Sequence, residues 1–280
     1  DMHFPEIQPR KSLYYNYEIY PYFHSNKNTL AESDTVTVVG AGPIGMATAL
    51  LLAKQGIKVI LLSAEQQLSE GSRALVYTKR SMEILQAAGV ADRIMTKALA
   101  WTHGNSIYKG QVAFRMASPT HDNDQFAPLN NLQQNWLEHF LLQTIQEQKN
   151  IEVRWRNKIV AHQQNDEHVT LTIHTPEGEY QHISHWVVAA DGGRSPIREG
   201  MKLRMEGASY EGRFVIADIR IKLDYPTERL AFFSPDWNPG NTILMHREPD
   251  NIWRFDYQLD PKNAPEDALK PENLNKVVND

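Results

Sequence analysis

The sequence predicts an α/β fold in which a parallel βαβ unit comes first and a β-rich segment closes the chain. Three stretches carry that prediction. Thr35-Val-Thr-Val-Val-Gly-Ala-Gly-Pro-Ile-Gly-Met46 reads as a strand, a tight glycine turn and a helix start. Val187-Val-Ala-Ala-Asp-Gly-Gly-Arg-Ser-Pro196 reads as another apolar strand running into an acidic, glycine-bearing loop. From Phe214 onward the pattern changes to alternating strands over Phe214–Leu223, Ile243–His246 and Ile252–Leu259.

In the first stretch, residues 35–39 alternate Thr and Val and then run apolar, as a short strand buried inside a sheet does. Gly40 permits the tight turn, Gly42 lets backbone approach a phosphate, and Gly45 lets the helix pack closely on the strand. Ala41, Pro43 and Ile44 complete the loop, and Pro43 suits a first-turn position where its missing N–H costs nothing. The helix is expected through Ala47, Leu50, Leu51 and Ala53, with Gly56 as a left-handed stop. Its N-terminus offers free N–H groups and a partial positive charge, which suits a diphosphate. The strand Ile57-Lys-Val-Ile-Leu-Leu62 completes a unit of roughly 30 residues, the context that makes a G-x-G-x-x-G match a dinucleotide site. The first domain is therefore read as Rossmann-like.

The second strand of such a unit normally ends in an acidic residue that bonds the ribose hydroxyls. Counting 23 positions from Gly40 reaches Ser63, which is neutral. Two readings stay open: Ser63 gives one weaker hydrogen bond, or Glu65 swings in.

At 280 residues and 41% hydrophobic content the chain is long enough for one large or two ordinary domains. A net charge of −5 provides no electrostatic footprint for nucleic acid. No apolar run approaches the length of a membrane span and no signal-peptide core opens the chain, so a cytoplasmic location is the expectation. The absence of cysteine excludes a disulfide-reductase flavoenzyme, a cysteine nucleophile and cysteine-ligated metals. His182 and His185 lie three apart on an expected strand and point to opposite faces, so no metal site is expected there.

Residues 1–33, with Tyr14, Tyr15, Tyr17, Tyr20 and Tyr22, read as an extended arm packed over the domain. Thr78 caps an expected helix through Met82, Ile84 and Leu85 that stops near Gly89. Residues 100–130 have mixed pattern. A longer helix follows Asn131, with Leu137, Phe140, Leu141 and Ile145 on one face and a solvated, Gln-rich face opposite. Strands are expected at Ile151–Trp155, Ile159–His162, His168–His174, Tyr180–Ile183 and Trp186–Ala190, and a boundary near residue 205.

With these motifs located, the chain resembles the class A flavoprotein monooxygenases of the para-hydroxybenzoate hydroxylase fold. Within them it is similar to the aromatic-ring hydroxylases that act on phenol, pentachlorophenol and hydroxyphenylpropionate. The Gly40/Gly42/Gly45 loop matches the family's ADP-binding fingerprint. Gly71-Ser-Arg-Ala74 matches the segment whose arginine touches the FAD diphosphate region, which makes Arg73 the candidate there. Asn131-Leu-Gln-Gln-Asn-Trp-Leu-Glu138 matches the Gln-x-x-Leu-Glu pattern, placing Gln134 at the FAD-contacting glutamine with Gln133 as a possible substitute. Asp191-Gly-Gly-Arg-Ser-Pro-Ile-Arg198 matches the Asp-Gly motif that touches FAD and serves the nicotinamide cofactor, so Asp191 and Gly192 join the candidates. Asp191 capping its own turn is compatible with that role.

The resemblance implies an N-terminal extension over 1–33, an FAD-binding domain over 34–204 and part of a β-sheet substrate domain over 205–280. It implies FAD as cofactor, NADH or NADPH as electron donor, and dioxygen and a phenolic ring as substrates. The family's route is a flavin C4a-hydroperoxide, so no protein nucleophile or metal is required. In the last segment Trp253, Phe255 and Tyr257 alternate with Arg254, Asp256 and Gln258, giving an aromatic face that is either sheet core or pocket lining.

Family members carry a second FAD motif, a Gly-Asp pair, and no Gly-Asp dipeptide occurs in these 280 residues. The chain also opens with Asp1 ahead of Met2. A fragment, or one half of an enzyme completed by a second polypeptide or by another copy, is therefore expected. The competing readings are a non-catalytic FAD-binding subunit or remnant and, with less support from Arg73, Gln134 and Asp191, an NAD-dependent dehydrogenase.

Overall fold

A computed structural model describes residues 12, 14–70, 73–210, 212–259, 262 and 265–272. The start of the arm, Gly71, Ser72 and much of the proline-rich end lie outside the described residues. The chain divides into two compact units. One is Asp1–Gly71, Ile84–Ile94 and Gln134–Glu206; the other is Ser72–Glu83, Met95–Gln133 and Gly207–Asp280.

The first unit opens on β1 (Thr29–Leu30) and β2 (Val36–Val39), then α1 (Pro43–Lys54) and β3 (Val59–Leu62). Helix α1 buries Gly45, Met46, Ala49, Leu50 and Ala53, an i, i+3/i+4 stripe that seats it on the sheet. It ends where Gly56 adopts φ 79°, a left-handed position that costs glycine nothing. The chain then passes through β4 (Val76–Thr78), α2 (Lys79–Ala87), α3 (Ala91–Met95), β5 (Leu99–Trp101), β6 (His103–Tyr108), β7 (Gln111–Ala117) and β8 (Leu129–Asn131). Thr78 does cap α2, its Oγ1 accepting from Ser81 N at 3.3 Å. Next come α4 (Gln134–Gln146), β9 (Ile151–Arg154), β10 (Lys158–Gln164), β11 (Val169–Thr175), β12 (Gly178–Ser184), β13 (Trp186–Ala189) and α5 (Pro196–Gly200). The described part closes with β14 (Phe214–Arg220), β15 (Arg229–Phe233), β16 (Thr242–Glu248), β17 (Ile252–Gln258) and α6 (Pro265–Ala268).

Two sheets build the first unit. The parallel sheet has the order β13-β2-β3-β9, and the other runs β1-β12-β11-β10. Val39, Ile60, Leu62, Ile159, Leu171, Ile173, Tyr180 and Ile197 pack together in one core. The arm is tied down by its aromatics, as its composition predicts. Tyr20 stacks on Trp155 at 4.7 Å between centroids, Tyr15 donates or accepts with His139 Nδ1 at 2.8 Å, and β1 pairs in parallel with β12.

His182 is fully buried between the two sheets while His185 is exposed and bonds the Glu167 carbonyl, so the two face apart. Thr37 donates its hydroxyl to Ser184 Oγ at 2.9 Å, so His182 Nε2 must be the donor to Thr37 at 3.0 Å. His182 Nδ1 is then the acceptor facing Thr29 Oγ1 at 2.7 Å. Burial, and secondly the Arg154 charge, push its pKa down to about 4 from 6.5. A proton therefore binds the unfolded chain first. This contribution to stability is complete above pH 6.5 and is lost as pH falls from 6.5 towards 4, reaching about 3 kcal/mol. In the second unit His246, lowered to about 4 by burial and then by Arg229 and Arg254, acts in the same direction. Urea unfolding at pH 7 and pH 4.5 should show the loss, with proton uptake on unfolding in that window.

The second unit holds a six-stranded sheet of order β14-β17-β16-β15-β6-β7 and a three-stranded sheet β4-β8-β5. The sequence division at 205 differs from this, because the hairpin β6–β7 pairs in parallel with β15, Gly104 to Arg229 through Tyr108 to Phe233. The mixed stretch 100–130 is thus strand-rich. The aromatic face of β17 is sheet core: Trp253 is fully buried with Leu230 and Met245, and Tyr257 packs with Val215 and Ile243. On the polar face Arg254 is buried, Asp256 half-buried and Gln258 exposed. Arg254 is 3% exposed and grips Asp218 of the neighbouring strand with Nε at 3.0 Å and Nη2 at 3.2 Å. Among the described residues no helix is long and apolar enough to cross a membrane.

Candidate cofactor site

The carboxyl ends of β2, β3 and β13 meet at one edge of the parallel sheet, the place where α/β sheets bind ligands. Gly40 N donates to Leu62 O at 2.8 Å, and Ala190 N donates to Val39 O at 2.8 Å, which draws all three strand ends together. Two of the three fingerprint glycines are demanded by the protein's own backbone. Gly40 sits at φ 103°, and a Cβ there would lie 2.2 Å from Ala190 O. A Cβ on Gly45 would lie 1.7 Å from Gly40 O.

Gly42 is different. It has an ordinary extended conformation as the N-cap of α1, and a Cβ there would meet nothing within 4 Å. Nothing in the described fold requires glycine at that position. The open space is what close approach of a ligand phosphate to the backbone requires. Helix α1 has no side-chain cap, so the N–H groups of Gly42, Ile44 and Gly45 have no intrahelical partner and face the same end. Ala41 and Ile44 complete the loop, with Ile44 exposed. The residues present therefore fit a dinucleotide diphosphate.

One residue beyond Leu62, Ser63 is buried, and its Oγ accepts from Glu65 N at 3.2 Å, which leaves its hydroxyl proton free to be donated. Glu65 is exposed on the same turn, and its carbonyl holds Arg156 N at 2.9 Å. On the other side, Asp191 Cα comes 3.0 Å from the position of a Gly40 Cβ. Asp191 Oδ2 accepts from Ile197 N at 3.3 Å, while Ser195 Oγ accepts from Arg198 N at 3.0 Å, so both cap α5. Gly192, at φ 83°, supplies the turn between them and is exposed.

Gln134 is the first residue of α4, and it donates Nε2 to Glu138 Oε2 at 3.1 Å. Its neighbour Gln133 belongs to the second unit, where it is buried and donates to the Pro249 carbonyl at 3.3 Å. Arg73, also in the second unit, has an exposed side chain, and its carbonyl accepts from Arg254 Nη1 at 3.3 Å. The structure thus gathers the glycine loop, Ser63, Glu65, Asp191 and Gly192 at one sheet edge. Gln134 lies in the same unit and Arg73 in the other.

Glu138 entered only as the last residue of the Gln-x-x-Leu-Glu pattern, and the face of α4 opposite Leu137, Phe140, Leu141 and Ile145 was expected to be solvated, yet Glu138 is buried. Its buried neighbours Asn135 and Thr144 also correct that reading. The i, i+4 spacing from Gln134 was the available signal.

Comparison with known proteins follows the same lines. Residues 33–275 match the model of an FAD binding domain. The chain is 29% identical over 255 residues to para-nitrophenol 4-monooxygenase of Pseudomonas sp. (strain WBC-3), covering 88% of this chain and 62% of the relative. It is 27% identical over 246 residues to 3-(3-hydroxy-phenyl)propionate/3-hydroxycinnamic acid hydroxylase of Burkholderia cenocepacia (strain HI2424), covering 87% and 44%. Among solved structures, p-nitrophenol 4-monooxygenase PnpA from Pseudomonas putida DLL-E4 superposes with a TM-score of 0.79 at 25% identity, covering 89% of this chain and 63% of that one. The chain spans less than two thirds of the length of each. Glycine geometry and the family match agree, and the chain belongs to the FAD binding domain family.

Proposed function

We propose that this chain is the FAD-binding part of a flavin-dependent monooxygenase that hydroxylates a phenolic or other aromatic substrate with NADH or NADPH and dioxygen. The observation that carries the reading is the glycine elbow, where Gly40 and Gly45 are fixed by backbone contacts and Gly42 faces open space. In this reading the N–H groups of Gly42, Ile44 and Gly45 hold the diphosphate, and Ser63 or Glu65 holds the adenosine ribose. Gln134, Asp191 and Gly192 contact the rest of the cofactor. Bound FAD supplies the redox chemistry, taking electrons from the nicotinamide and delivering one oxygen atom of dioxygen to the ring. The protein supplies position and a site that excludes water. The sheet of the second unit begins the substrate side.

Purified chain mixed with FAD is expected to turn yellow, quench flavin fluorescence and saturate at one flavin per chain. Tight binding of a nicotinamide nucleotide with no flavin uptake would instead identify a dehydrogenase.

A further inference from the structure

Two segments of the first unit converge on the turn that follows β3, residues 63–69. The exit of β9 makes three backbone bonds to it. Ser63 N donates to Arg154 O at 3.0 Å, Arg156 N to Glu65 O at 2.9 Å, and Asn157 N to Ser63 O at 2.7 Å. The arm makes two more, Tyr20 N to Gln66 O at 2.8 Å and Tyr17 Oη to Ser69 O at 2.9 Å. Arg156 holds φ 54°, a left-handed conformation that a residue with a long side chain keeps only where its surroundings impose it. With it, two successive N–H groups reach the same turn.

Asn157 joins these segments. It is 1% exposed, and its side chain spends both amide hydrogens and its oxygen on protein partners. Nδ2 donates to Phe23 O of the arm at 2.8 Å and to Trp155 O at 2.7 Å, while Oδ1 accepts from Tyr180 Oη on β12. Carbonyls only accept, so the two of them fix which way the amide points. A carboxylate has no hydrogen for either carbonyl, and an apolar side chain would leave Phe23 O without this donor. Ser63, for its part, is neutral where such a fold usually places an acidic residue. Its hydroxyl sits on a one-carbon stem, so the backbone decides what it reaches.

We infer that Asn157 is a positioning residue for the adenosine end of the cofactor, fixing the turn from which Ser63 or Glu65 reaches the ribose hydroxyls, an inference that rests on the FAD reading above and deepens it at this turn.

The test is a ligand cycle on the full chain, with ADP and 2′,3′-dideoxy-ADP affinities read by competition against FAD in flavin fluorescence, and apo stability by thermal unfolding. The parent is expected to bind ADP at least about fivefold more tightly than the dideoxy nucleotide, the worth of one hydrogen bond. In Asn157→Ala that preference should shrink to within about twofold, the loss falling on ADP while the dideoxy nucleotide binds as before. Tyr180→Phe removes the donor to Asn157 Oδ1 and keeps the ring. It should reduce the preference in the same direction, and it carries the test if Asn157→Ala does not fold. A purely architectural role would weaken both nucleotides equally or leave both unchanged, and either pattern in a folded variant overturns the inference. A parent that takes up FAD without distinguishing the two nucleotides overturns the assignment of this turn to the ribose. A parent that takes up no FAD overturns the reading beneath it.

Discussion

Gly42→Ala is expected to leave the fold intact and to destroy FAD binding. Alanine tolerates the backbone of Gly42, φ −77° and ψ −176°, and its methyl group would meet no protein atom within 4 Å. Alanine is a slightly poorer N-cap than glycine but loses less chain entropy on folding, so the two changes offset and Tm should stay within about 3 °C. The methyl group would stand in the space assigned to the diphosphate, and FAD affinity should fall at least about 100-fold. Gly45→Ala should do the reverse in order of cause. Its methyl group would sit 1.7 Å from the Gly40 carbonyl oxygen, a backbone atom that cannot swing aside, at a cost of about 3 kcal/mol or more. Thermal unfolding and flavin titration of both variants separate the cases. A Gly42→Ala chain that binds FAD normally would contradict the assignment of this loop to the phosphates.

Arg254→Met is expected to cost about 3–5 kcal/mol in the second unit, the penalty for stranding buried carboxylates. Arg254 lies across from Asp218 on β14 and His246 on β16, with Glu248 Oε1 at 3.6 Å from its Nε. Burial alone would lower the guanidinium pKa, but the Asp218 hydrogen bond and the Asp218, Glu248 and Asp256 charges raise it, so it stays charged. Removing it leaves Asp218 facing a low-dielectric neighbourhood without its two-toothed partner. Replacing both ends, as Arg254→Met with Asp218→Leu, should recover part of the loss, because the carboxylate that was stranded is gone too. Urea unfolding at pH 7 reads both. A double variant less stable than the single one would show that the pair stabilises the sheet in its own right.

The parallel βαβ unit was legible because its signals are local: alternating apolar residues, glycines at fixed offsets and a proline at the helix start. The hairpin β11–β12 was legible for the same reason, with Gly178 at φ 133° in the turn. Strand β7 was not read as a strand although Val112, Phe114 and Met116 alternate along it, and all seven of its residues are exposed. Its neighbour β6 owes its place to β15, more than a hundred residues later, and local pattern carries no information about that partner. Alternation on β17 was visible and its aromatic face is core, one of the two readings left open, but the burial of Arg254 on the other face was not legible, since the period of two separates faces without saying which faces water. In the site, the glycine loop and the Asp191 turn were readable as motifs. Their approach within contact distance through Ala190 was not, because it depends on β13 lying beside β2.

The pairing of β1 with β12 sets a condition on vectorial synthesis. Thr29 and its partner His182 are separated by 153 positions in sequence. At ribosomal rates of about 5–20 residues per second, the arm waits roughly 8–30 s before the strand that receives it has been made. Through most of that interval Tyr15 is without Trp136 and His139, and Tyr20 without Trp155, so the nascent chain carries a sticky aromatic segment that only later synthesis can shelter.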